Sequence, residues 1–78
     1  MEMFDEKSRA MLMLVMLNDI FADAASSVRN LRDFIASHPE MRGEMEKYGM
    51  IELLEKAEEF EKSVIEVMDR LKKVVYTE

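Results

Sequence analysis

The chain has no cysteine and no tryptophan, one histidine, one proline and two glycines in 78 residues. Without cysteine there is no disulfide staple and no thiolate metal site, a composition that fits a reducing cytoplasm. A lone histidine, His38, offers no second imidazole for a metal and no recognisable nucleophile partner, so it reads as a cap or surface residue. No glycine-rich phosphate loop, nucleophile elbow, zinc spacing or aromatic-basic interleaving is present. So few helix breakers, among abundant Glu, Lys, Leu, Met and Ala, predict helix almost throughout.

Basic charge is also scarce. Eleven Lys and Arg against seventeen Asp and Glu leave a formal charge of -6. A sequence-independent grip on nucleic acid needs clustered basic residues, and anionic membranes repel a chain of this sign. The expected partners therefore include no nucleic acid and no membrane. The apolar run Met11 to Leu17 has seven residues, eight with Ala10, whereas a bilayer span takes ~20. The leader Glu2 to Arg9 is not the basic region of a signal peptide, and Asn18 and Asp19 interrupt the apolar stretch.

That short run is nonetheless the most informative stretch. A helix packed on one neighbour needs a single apolar stripe. Two turns that are apolar all round need cover on every side. A chain of this length buries a small core, and without a staple a common solution is association with another chain.

The residues predict one helical domain over 1–78 with three helices: about 5–36, 39–48 and 50–75, with 1–9 as a projecting arm. In the first, Leu14, Leu17, Phe21, Ala24, Val28, Leu31 and Ile35 alternate spacings of three and four, and Ala10 extends the seam backwards. Its outward positions are polar late (Asp19, Asp23, Ser26, Arg29, Asn30, Asp33) and apolar early (Leu12, Val15, Met16). Pro39 ends this helix, because proline cannot continue a helix interior and drives His38 from helical backbone. Two starts compete for the next helix: Ser37 with Glu40 as a capping box, or Pro39 at the first position behind His38. Met41, Met45 and Tyr48 give that short helix a stripe, and Gly49 suits a left-handed stop.

In the last helix, Leu53, Ala57, Phe60, Val64, Val67, Leu71 and Val74 form a second seam, flanked by Leu54, Met68 and Val75. At ~1.5 Å per residue it spans about 39 Å and, run antiparallel, reaches back to Ala10 or Met11. The expected fold is all-α: an antiparallel helical hairpin of two long helices with a short connecting helix, paired into a homodimeric four-helix bundle. Its open end is over-apolar on both helices. The expected binding and oligomer interface is therefore Met11, Met13, Leu14, Met16, Leu17, Phe21, Met68, Leu71 and Val75. Nine methionines in one short chain suit an adaptable packing surface.

Two polar groupings compete with this reading. Arg29, Arg32, Arg42 and Lys47 gather near the corner, but interleaved acids neutralise them and none falls in a seam. On the last helix, Glu55 with Glu58 and Glu66 with Asp69 stand three residues apart. This resembles the metal motifs of the all-α nucleotide pyrophosphohydrolases. The resemblance implies a magnesium-dependent hydrolase of a nucleotide or phosphate ester, with Glu55, Glu58, Glu66 and Asp69 as ligands. In that family the two acidic pairs converge from different helices; here both lie on one. The same acids also make helix-supporting pairs at i, i+4: Glu52–Lys56, Glu58–Lys62, Glu66–Arg70 and Asp69–Lys73. The expectation is thus a non-catalytic, cytoplasmic protein–protein interaction module without cofactor or metal: a small adaptor, regulator or chaperone-like protein. It would pair with itself or with another protein's amphipathic helix.

Overall fold

The computed structural model describes residues 5–76. The protein is all-α, with no strand among the described residues. Helix α1 spans Glu6–Ser37, a 3₁₀ turn Pro39–Met41, α2 Arg42–Lys47 and α3 Met50–Val75. Of the expected arm over 1–9, residues 1–4 lie outside the described residues, and Glu6 to Arg9 open α1.

Each boundary has a local cause. Asp5, in extended backbone, accepts a hydrogen bond from the Ser8 N–H at 2.8 Å and so satisfies one of the free donors of the first turn. That bond holds the Asp5 carboxyl below its ordinary value of 3.8. At the far end His38 leaves helical backbone at φ -128°, ψ 59°. Its N–H still donates to the Ile35 carbonyl at 3.4 Å. The His38 ring lies 4.5 Å from the Phe34 ring, and Nδ1–H donates to the Phe34 carbonyl at 2.9 Å. The proline-first start wins, because Ser37 remains inside α1 and the Ser37–Glu40 box does not form.

Gly49 serves two helices at once. Its N–H donates to the Glu46 carbonyl at 3.1 Å and its own carbonyl receives the Leu53 N–H at 2.9 Å. It does this at φ 83°, the left-handed region that a side chain disfavours. The turn from α2 into α3 therefore needs no loop.

Contacts between α1 and α3 run in opposite order along the two helices. Met11 and Val75 line one groove, Phe21 and Met68 another, and Ala24 and Phe60 a third. Nearest the corner Arg32 reaches Glu58 at 2.9 Å. The molecule is a rod of 58 × 21 × 17 Å. Its core is thin: Leu14, Val64 and Met68 are buried together, with Leu17, Ile20, Phe21 and Leu71 packed against them. Towards the corner Val28, Ile35 and Met45 are buried.

The α1 seam from Ala10 to Ile35 holds throughout, each member being buried or half-buried. The α3 seam needs correction. Leu53, Phe60 and Val67 are exposed. The inward rows are instead Leu54–Glu61–Met68–Val75 and Ala57–Val64–Leu71, all buried or half-buried. The apolar stripe of α3 is wider than one seam, and the helix is rotated towards the row containing Glu61. A half-buried acid fits there because its methylene stem can cover apolar surface while the carboxylate stays wet.

Candidate interaction surface

Rows spaced by seven residues organise the surface. On α1 the residues just before Leu14, Phe21, Val28 and Ile35 are Met13, Ile20, Ser27 and Phe34. On α3 the residues just before Leu54, Glu61, Met68 and Val75 are Leu53, Phe60, Val67 and Val74. A seven-residue spacing returns to nearly the same helix face, so each set is one flank of its helix. The two flanks lie on the same side of the molecule, since Ile20, Ala24, Ser27, Ala57 and Phe60 line one groove of about 300 Å³. Seven of these eight flank residues are apolar. Met13, Phe34, Leu53, Phe60 and Val67 are exposed, while Ile20 and Val74 are half-buried.

The opposite side differs. There the flank residues are Met11, Asn18, Ala25 and Arg32 on α1 and Ile51, Glu58, Ile65 and Lys72 on α3. Arg32 and Glu58 pair across the helices at 2.9 Å. Phe21, Ile65 and Met68 share a smaller groove of about 110 Å³ with Asp69 and Lys72. One side is thus the more apolar, with Asp23 and Ser27 as the polar residues lining its groove, and the other is mixed and charged.

The expected interface residues divide between interior and surface. Leu14 and Met68 are buried in the chain's own core, and Leu17, Phe21 and Leu71 are half-buried against it. Met11, Met13 and Met16 are exposed, as are Leu12 and Val15. Val75 is half-buried and lines a groove of about 420 Å³ with Lys7, Ser8, Met11 and Leu12 at the open end. The expected set did not include Leu53, Phe60, Val67, Ile20 or Phe34. The seven-residue repeat on each helix is the signal that finds them; Ser27 interrupts it on α1, and on α3 it coincides with the expected inner seam.

The polar groupings are engaged locally. Arg29 donates to Ser26 Oγ at 3.4 Å, Arg42 to Glu46 at 3.3 Å, and Lys47 sits 5.6 Å from the centre of the Tyr48 ring. Glu52 and Lys56 pair at 3.3 Å, whereas Glu58 turns to Arg32 on the other helix. Among the described residues no group of three or more His, Asp or Glu is placed to hold a metal ion, so Glu55, Glu58, Glu66 and Asp69 are not brought together as one site. By length and composition α1 is apolar enough to cross a membrane, with an eighteen-residue window of mean hydropathy 1.4. Asp19 and Asp23 fall inside that window.

A protein of Archaeoglobus fulgidus is 47% identical over 70 residues, spanning 90% of this chain and 92% of its own length. This chain belongs to that protein's family. The relative is described only as an uncharacterized protein. No family model matches the chain, and no solved structure does.

Proposed function

We propose that α1 and α3 form an antiparallel hairpin that a second copy completes into a four-helix bundle. The protein is then a non-catalytic, cytoplasmic interaction module: a small adaptor, regulator or chaperone-like protein acting through helix–helix packing. The observation that carries this reading is the open end. Of the seven apolar residues from Met11 to Leu17, five are exposed, with Leu12, Val15 and Met16 each more than half so. Burying one such side chain contributes ~1.5–3 kcal/mol, so several covered together can sustain an assembly. Asp19 and Asp23 support a soluble α1, because carboxylates in the middle of a bilayer span are costly.

Absolute mass by light scattering, across a wide concentration range, tests the reading. The expected mass is twice the 9.2 kDa of the chain. Met16→Asp is expected to shift it to that of one chain while the helical circular dichroism is kept. A folded wild-type monomer at all concentrations defeats the self-association reading. Leu14→Asp is the weaker test, since Leu14 also holds the chain's own core.

A further inference from the structure

The proposed dimer leaves open which side of the rod is covered, and the flank rows answer this. We infer that the second copy docks face to face on the side formed by Met13, Ile20 and Phe34 of α1 and Leu53, Phe60 and Val67 of α3, leaving the Arg32–Glu58 side in water. The inference rests on the dimer reading and assigns its interface.

Three observations point there. A compact protein of this mass exposes ~4,900 Å², but this chain exposes 6149 Å². The difference is roughly 1,200 Å², and a stable interface covers ~800 Å² on each partner. Part of the excess belongs to the elongated shape of the rod, and the remainder is enough for one such interface. Second, Leu53, Phe60 and Val67 on α3, and Met13 and Phe34 with the half-buried Ile20 on α1, fall on rows spaced by seven, the spacing that packs against another helix rather than a small ligand or an extended peptide. Third, each row spans four positions, with Ser27 the one polar member, so the occupant presents two helices of similar length. Another copy of this chain has that shape, and a two-fold pairing brings the same face to itself. Across the face Phe60 stands beside the groove floored by Ala24 and Ala57 and bounded by Ile20. A bulky ring from the partner can enter where these small residues leave room.

The test compares full-length variants on the two sides. Phe60→Glu places a carboxylate on the apolar face, and Ile65→Glu places one on the other side. Both positions are exposed, so each variant should keep its helical circular dichroism. The expected result is that Phe60→Glu halves the mass measured by light scattering and Ile65→Glu leaves it at two chains. Val67→Glu repeats the test if Phe60→Glu fails to fold, and is expected to halve the mass as well. Face variants that remain dimeric overturn the assigned face while the dimer reading stands. An Ile65→Glu monomer also overturns it, because the charged side would then belong to the interface. A wild-type chain that is itself monomeric overturns both, and would mean that the face receives a different protein.

Discussion

The corner and the open end of the rod pose the same packing problem and meet it with different numbers of helices. At the corner, α2 packs against α3 and the 3₁₀ turn, Met45 is 2% exposed, and Val28 and Ile35 are buried, although Phe34, Met41, Tyr48 and Leu53 around them stay exposed. At the open end no third element lies among the described residues, and Met11, Leu12, Met13, Val15 and Met16 are exposed around a buried Leu14. Two helices can hide one stripe each. A third hides more, and where it is missing the sequence still carries the apolar residues that a third and fourth would cover. The outward positions of α1 follow the same division: Asp19, Asp23, Arg29 and Asp33 lie towards the corner, while Leu12, Val15 and Met16 lie at the open end.

Mutations at the two ends should therefore differ in kind as well as in size. The largest effect on the fold is expected from Met45→Ala, which opens a cavity under the corner. It should cost ~2–5 kcal/mol of unfolding free energy in urea while leaving the dimer, and with it the wild-type concentration dependence of the midpoint, in place. Met16→Ala at the open end should leave a protomer's own stability nearly unchanged but shift its thermal midpoint in a concentration-dependent way, because association stabilises by mass action. Equal concentration dependence in the two variants would erase the distinction between the ends.

Gly49→Ala comes next. A Cβ there meets nothing within 4 Å, so the cost is conformational alone. It should be ~1–2 kcal/mol for a side chain held in left-handed backbone, read from the same urea titration. Arg32→Ala breaks an ion pair whose side chains are 58% and 45% exposed. Its effect should be below ~1 kcal/mol and fade with added salt. The smallest change belongs to the Asp5 cap. Its carboxyl is held below 3.8 in the folded chain by the Ser8 N–H. The cap's contribution is thus complete above that value and is lost as pH falls through the lower folded value. Asp5→Ala should remove this acid dependence from the fraying of the first turn of α1, followed by amide exchange.

Much of this architecture could be read from residue pattern. The helical class, the break at Pro39, the left-handed Gly49 and the α1 seam each follow from a local cause that no distant contact overrides. The rotation of α3 does not. Leu53, Phe60 and Val67 form an apolar row as regular as the inner one, and Glu61 marks the true inner row as polar. Periodicity could not decide between adjacent rows because both are apolar; only the position of α1 does so. The site divides in the same way. The excess of apolar residues from Met11 to Leu17 was visible, since no single neighbour can cover a helix on all sides. That Leu14 and Met68 serve the interior, while Leu53 and Phe60 face outwards, depends on how the two helices are rolled against each other.

The corner also governs the order of events during folding. α1 and α3 are joined at the corner through the short segment 38–49, so pairing their corner ends closes a short loop. Met11 and Val75 are separated by nearly the whole chain. Loop closure costs more as the separation grows, so a collapsing protomer should zip from the proline turn outwards. The residues that would meet a partner are then the last to be paired within their own chain, and the first to part when the rod breathes.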